Sequence, residues 1–216
     1  MVLLTGEDGD LRVMLTRRTE RLNGHRGQMS FPGGRRDDSD RDFAHTALRE
    51  TGEELGIDTA GVALLGALTP IYIPPSHFDV FPYVGYQRVL PPLMPNPDEV
   101  AAVYPVALAD LFDPENRIVT EIETVAGPLT VPAYTLGGQI VWGATAVILC
   151  GAGNAPARGA TRHGVTALRV RLRFVKIQQY PLISHKITCI SPCDWLAFTD
   201  ANAANQRRKA RCSHVD

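Results

Sequence analysis

From Phe43 to Leu55 the side chains of Phe43, Ala44, Ala47, Leu48, Thr51 and Leu55 cluster at helical spacing. Asp40 and Asp42 stand where such a helix would begin, and Gly56 stands where it would end. The pattern predicts a helix over 43–55, and that helix constrains the rest of the chain. Glu50, Glu53 and Glu54 lie at i, i+3 and i+4, so they share one of its faces. Three carboxylates on one face repel one another unless cations neutralise them, and oxygen ligands of this kind suit Mg²⁺ or Mn²⁺. Arg49, four residues before Glu53, is spaced to pair with it. Phosphoryl chemistry uses such ions to polarise phosphorus, activate water and neutralise the leaving oxygen. The plain alternative is a solvated acidic face on a surface helix.

The segment before the helix favours the chemical reading. Ser30-Phe31-Pro32 leads into the pair Gly33-Gly34, and an acidic loop with Asp37, Asp38 and Asp40 follows. Glycines let a backbone approach a ligand closely, so Gly33 or Gly34 can offer a carbonyl to a metal or an N–H to a phosphate. Gly34, five residues, Asp40, eight residues, then Arg49-Glu50-Thr51-Gly52-Glu53-Glu54-Leu55-Gly56-Ile57 resembles the signature box of the Nudix hydrolases. Three features depart from that box. Asp40 stands in place of a glutamate, one extra residue precedes Arg49, and Thr51 takes a usually apolar position.

The stretch from Leu15 to Gly34, with Thr46-Ala47-Leu48-Arg49-Glu50, Asn96-Pro97-Asp98-Glu99-Val100 and Ile140–Ala146, is similar to the coenzyme A pyrophosphatase branch of that family. The likeness spans roughly residues 3–153. It implies an α/β/α sandwich around a mixed β-sheet and a possible homodimer. The implied reaction is hydrolysis of the diphosphate of coenzyme A or its derivatives to 3′,5′-ADP and 4′-phosphopantetheine. It also implies Glu50 as general base and Glu99 as a distal glutamate that approaches the metal cluster. Two other functions stay open. One is hydrolysis of another nucleoside-diphosphate conjugate such as ADP-ribose or a dinucleotide. The other is a non-catalytic nucleotide-binding or interaction module.

The site expected from these readings has Glu50, Glu99 and Arg49 as catalytic residues. Glu50, Glu53, Glu54 and Gly34 are the metal ligands. Arg17, Arg18, His25, Gln28 and Gly33 contact the substrate, with Arg21 and Arg26 as further phosphate contacts. Asn23 stands where members of the branch often carry a basic residue, which weakens the transfer of substrate preference. His25 and Gln28 serve equally well as loop hydrogen-bonding groups, and Glu99 as turn chemistry. His45 is expected to be structural or exposed, because Mg²⁺ and Mn²⁺ prefer oxygen. Tyr72, Phe78 and Tyr83 are expected to fill core space, with adenine packing as the other use.

Periodicity elsewhere predicts strands at 11–15, 62–68, 78–86 and 100–106, a short helix at 107–112, and a buried helix at 142–150. Paired strands at 118–124 and 129–134 are expected to meet at a turn on Gly127-Pro128. These elements suggest a mixed α+β or α/β layered domain.

Charge divides the chain. Residues 1–155 carry 11 basic and 20 acidic side chains, net -9, whereas 156–216 carry 11 basic and 3 acidic, net +8. The division falls in a Gly- and Ala-rich stretch from Gly151 to Gly159, so residues 1–155 are expected to form the domain and 156–216 a basic extension. With a net charge of -1, the whole chain does not read as a nucleic-acid binder. No apolar run is long enough for a membrane helix, and a cytoplasmic location is expected. In the extension, Cys189, Cys193, Cys212, His185 and His214 match common zinc spacings poorly. Residues 168–177 partly alternate, and the basic run at 207–211 reads as solvated.

Overall fold

The computed structural model describes residues 1–152 apart from 8, 23, 74–75 and 125–126. The readings made for Asn23, the 153–159 part of the linker, the 168–177 strand, the cysteine and histidine group and the basic run lie outside the described residues.

The predicted helix α1 spans Phe43–Leu55. Asp42 caps it by accepting the His45 N–H at 2.8 Å, a contact worth about 1 kcal/mol. Gly56 ends it in the left-handed conformation, φ 65°, and its N–H reaches the Gly52 carbonyl. A Cβ on Gly56 would also collide with the Met94 backbone, so steric space and dihedral angle both require glycine. Thr51 is fully buried in the place of an apolar residue because its hydroxyl donates to the Ala47 carbonyl at 2.6 Å.

The main sheet has six strands: β1 (Val2–Thr5), β2 (Arg12–Arg18), β3 (Met29–Ser30), β4 (Ala63–Ala67), β7 (Tyr83–Gln87) and β8 (Val100–Ala107). β8 runs antiparallel along the whole of β2, so β1 and β3 share the opposite edge of β2. β1 pairs parallel with β7, and β7 antiparallel with β4, which makes the sheet mixed. A two-stranded ribbon, β5 (Ile71–Ile73) with β6 (Phe78–Val80), stands apart. A three-stranded antiparallel sheet follows: β9 (Arg117–Thr124), β10 (Gly127–Leu136) and β11 (Gln139–Trp142), leading into helix α2 (Gly143–Ala152).

Strand alternation distributes the core to two sides. Leu3 and Met14 pack with Ala47 and Leu55 of α1 in one cluster. Val2, Leu4, Val13 and Leu15 pack with Ala146, Ile148 and Leu149 of α2 in the other. The main sheet is therefore enclosed by a helix on each face, the α/β/α sandwich. Burial of Leu55 alone stabilises the α1 face by roughly 1.5–3 kcal/mol.

Four local expectations are corrected. The single strand at 78–86 is two strands: Pro82 has no N–H for a ladder, its carbonyl accepts Leu68 N–H at 2.8 Å, and β6 and β7 take different partners. The 107–112 helix is one 3-10 turn, Leu108–Leu111, whose i, i+3 spacing buries both leucines. Gly127 and Pro128 belong to β10, with Gly127 in register with Thr124. Tyr72 and Phe78 are exposed because the ribbon that carries them lies outside the main sheet, whereas Tyr83 does pack against the α1 cluster.

Candidate active site

The N-terminal half of α1 organises its charges around Arg49. The Arg49 Nε and Nη2 groups donate to the two oxygens of Asp40, each at 3.0 Å. Nη1 donates to Glu53 Oε2 at 2.8 Å, and Nη2 also reaches Glu50 Oε1 at 2.9 Å and the Arg35 carbonyl at 3.1 Å. Asp40 is buried, and it also accepts from Asp37 N–H and His45 Nδ1–H, both at 2.9 Å. The Arg49 guanidinium, followed by these donors, holds the Asp40 carboxyl far below the usual carboxylate range. The carboxylate in the place of the box glutamate is thus a structural anchor, and His45 supports it.

The C-terminal half is different. Glu54 is 3% exposed, and its Oε2 atom has no hydrogen-bond partner among the described residues. Burial, reinforced by repulsion from Glu99 and Glu50, pushes its carboxyl up to about 7 against the opposing pull of Arg18. Burial also raises Glu50, opposed by its hydrogen bond from Arg49.

Backbone contacts bring the sequence-distant glutamate to this group. Asn96 N–H donates to the Glu54 carbonyl at 3.0 Å, and Thr19 N–H to the Glu99 carbonyl at 2.9 Å. These ties clip the 96–99 turn between the end of α1 and the end of β2. Glu99 therefore interacts electrostatically with both Glu50 and Glu54. Gly34 lies against the Glu50 carboxylate so closely that a Cβ there would overlap it.

The arginines expected from sequence end β2, where a bulge falls between Arg17 and Arg18. The Nε atom of each is buried without a hydrogen-bond partner among the described residues. Arg18 N–H donates to the Gln28 carbonyl at 3.0 Å, and His25 Nδ1–H donates to Gln28 Oε1 at 2.9 Å. The His25–Gln28 loop thus lies beside the arginines, while its two polar side chains bond to each other. Gly33 is half-buried and adjoins Gly34. Arg21 pairs at the surface with Asp98, and Arg26 Nε donates to the Leu22 carbonyl at 2.7 Å.

A divalent cation matches an orphaned buried carboxylate oxygen surrounded by other carboxylates, which is the situation of Glu54. Among the described residues no three such side chains are already closed into a coordination cluster. Glu50 instead leans on Arg49, and Glu53, with its side chain 56% exposed, does the same.

Sequence reasoning expected His45 to be structural or exposed, as it is, but missed the anchoring role of Asp40, the carboxylate that His45 supports. The available signal was a carboxylate at the box position. The nine-residue step from Asp40 to Arg49 is not a helix spacing, so no periodicity argument connects the two.

Residues 1–122 match the NUDIX domain family. The chain belongs to the Nudix family. Its similarity to curated relatives extends further. It is 37% identical over 153 residues to Nudix hydrolase 15, mitochondrial, of Arabidopsis thaliana, covering 68% of this chain and 53% of that protein. It is 39% identical over 153 residues to the Homo sapiens protein named mitochondrial coenzyme A diphosphatase, covering 68% and 64%. Nudix hydrolase 22, chloroplastic, of Arabidopsis thaliana is 37% identical over 153 residues, with 68% and 50% covered. The chain thus spans between half and two thirds of the length of these relatives. Their organellar names overturn the cytoplasmic expectation, because the lack of a long apolar run is not specific to a compartment. Nudix hydrolases generally use divalent metals such as Mg²⁺ or Mn²⁺.

Proposed function

We propose that this Nudix domain hydrolyses the diphosphate of coenzyme A or its derivatives, with Mg²⁺ or Mn²⁺, to 3′,5′-ADP and 4′-phosphopantetheine or its acyl form. The observation that carries the hydrolytic reading is the unpartnered oxygen of buried Glu54, within the field of Glu50 and Glu99. Support for the substrate comes from the 39% identity to a protein named for that diphosphatase activity.

Glu50, Glu53, Glu54 and the Gly34 carbonyl would hold the ion. When bound, it supplies positive charge against the diphosphate and makes water easier to deprotonate. The protein's own residues divide the remaining work. Glu50 accepts the proton of the attacking water, with Glu99 as the neighbouring carboxylate that assists it. The water oxygen bonds to one phosphorus and the P–O bond to the bridging oxygen breaks. That oxygen leaves with the bonding electron pair on the other phosphate, and the Glu50 proton passes to solvent. Arg49 positions Glu50 and Glu53. Arg17 and Arg18 bind diphosphate oxygens, His25 and Gln28 orient the substrate, and Gly33 offers its N–H. The catalytic domain is proposed to end near residue 155, with 156–216 as an appended basic segment.

Turnover of coenzyme A, acyl-coenzyme A, ADP-ribose and dinucleotides, with Mg²⁺ and with Mn²⁺, tests the reading by product chromatography. The expected result is a preference for coenzyme A or its acyl form and the two stated products. A preference for a conjugate that lacks the 3′-phosphate overturns the coenzyme A assignment. Absence of turnover across the panel, with tight nucleotide or protein binding, supports a non-catalytic module instead.

A further inference from the structure

Beyond Gly34, on the Asp40 side of α1, the loop meets a group of exposed aromatic rings that the hydrolytic reading leaves unused. Phe43 and Phe81 stack with centroids 4.2 Å apart and an interplanar angle of 9°. The Arg36 guanidinium lies 5.6 Å from the Phe43 centroid, and its Nη2 donates to the Asp40 carbonyl at 2.9 Å. The Arg35 guanidinium lies over the Phe78 ring, 4.6 Å from its centroid. Phe43, Phe78 and Phe81 remain 39%, 40% and 37% exposed. Large apolar rings left in water this way commonly mark a binding surface.

The two arginines are not equivalent. Arg36 is committed to a backbone carbonyl. Arg35 has no carboxylate within ion-pair distance among the described residues. Asp79, next to Phe78, points to the opposite face of β6, and the Asp37 carboxylate accepts from both Ser39 N and Ser39 Oγ. The ring beneath Arg35 steadies the guanidinium and covers one face, which leaves its in-plane N–H groups available. That planar fork matches two oxygens of a phosphate. The Arg35 backbone is anchored to the catalytic helix, since its carbonyl accepts from Arg49.

Arginines therefore flank the carboxylates on two sides. Arg18 stands at the Glu54 end, and Arg35 and Arg36 stand beyond Gly34 at the Asp40 end. A substrate with only a diphosphate gives one side its partner. We infer that Arg35, mounted on Phe78, binds a second anionic group of the substrate, a phosphate monoester on its nucleotide half, and so sets specificity for nucleotides that carry one. The inference deepens the proposed diphosphate hydrolysis and rests on it for the position of the cleaved bond. A monoester carries close to two charges at neutral pH, which makes it the stronger ligand for an unpaired guanidinium.

Binding of 3′,5′-ADP and of AMP, measured by calorimetry without turnover, isolates the monoester. The wild-type protein is expected to favour 3′,5′-ADP by roughly tenfold or more, the scale of a hydrogen bond to a charged group. Arg35→Ala should remove most of that ratio. Phe78→Leu, which keeps apolar bulk and loses the ring, should lower it in part. The ratio of kcat/KM for coenzyme A over 3′-dephospho-coenzyme A should fall in the same order, chiefly through KM. Equal loss on both members of either pair, or no wild-type preference for 3′,5′-ADP, overturns the inference. A binding preference that depends on Arg35 in a protein that hydrolyses none of the diphosphates would leave this subsite standing and remove the hydrolytic reading. Coenzyme A hydrolysis with an unchanged ratio in Arg35→Ala would do the reverse.

Discussion

The two ends of one helix treat buried carboxylates in opposite ways. Asp40 is covered by the protein and fully answered by it, with two bonds from Arg49 and one each from His45 and Asp37. Glu54 is just as inaccessible, yet one of its oxygens has no hydrogen-bond partner among the described residues, and the pull of Arg18 and of the N-terminal amine does not offset its burial and the repulsion from Glu99 and Glu50. A buried charge without a partner is costly and is retained only where something compensates. The Asp40 end is scaffold; the Glu54 end is consistent with a counterion.

Glu50 belongs to both ends, since it accepts from Arg49 and repels Glu54. Its replacement should give the largest effect. Glu50→Gln should lower kcat by about a hundredfold to ten-thousandfold while leaving KM nearly constant, as expected for loss of a general base. Glu99→Gln should have the same signature with a smaller loss. Steady-state kinetics on both variants at saturating metal decide the order; a larger loss in Glu99→Gln would transfer the base to that residue.

Glu54→Gln sharpens the contrast through pH. The folded-state pKa of Glu54 lies above its ordinary value of 4.5, so the neutral form is the one that folding favours. Its contribution is therefore greatest below pH 4.5 and is lost as pH rises to about 7. In chelator, the wild type should lose stability relative to Glu54→Gln across that window. Glu54→Gln should be more stable than wild type at pH 8 by about 3 kcal/mol, with the difference shrinking toward pH 5. The same variant should bind Mg²⁺ or Mn²⁺ about tenfold or more weakly. Thermal melts in chelator and metal titrations measure the two effects; a destabilised variant at pH 8 would contradict the account of an incompletely compensated charge.

Arg49→Lys tests the scaffold end with the smallest expected effect. Lysine keeps the charge and loses the planar fork that spans Asp40, Glu50 and Glu53. The melting temperature should fall by about 5 °C. Asp40 titrates below its ordinary value, so its contribution is present above the unfolded carboxylate range and lost only as pH falls below it. The wild-type and Arg49→Lys melting curves should accordingly stay parallel from pH 5 to pH 8. A difference that grows with pH in that interval would mean that Asp40 is not the anchored anion described.

The features legible in the sequence were those written at short range. Helix α1 falls on 43–55 as predicted, because helical spacing, an Asp cap and a terminal glycine act within a few residues of one another. The Arg49–Glu53 bond follows from the four-residue spacing. Strand assignments blurred where Pro82 and the β5–β6 ribbon redirected the chain, because a strand's partner is set by distant segments.

By itself the sequence determined a capped helix with three carboxylates on one face, a flanking glycine pair and the family signature that joins them. Tertiary structure decided which carboxylates are satisfied. Burial of Asp40 under Arg49, the clip that brings Glu99 to Glu54, the orphaned Glu54 oxygen and the Arg35–Phe78 stack all join segments outside one helical turn. Their energies depend on desolvation, and desolvation is a property of the packed assembly of strands and helices, with no counterpart in the spacing of residues along the chain.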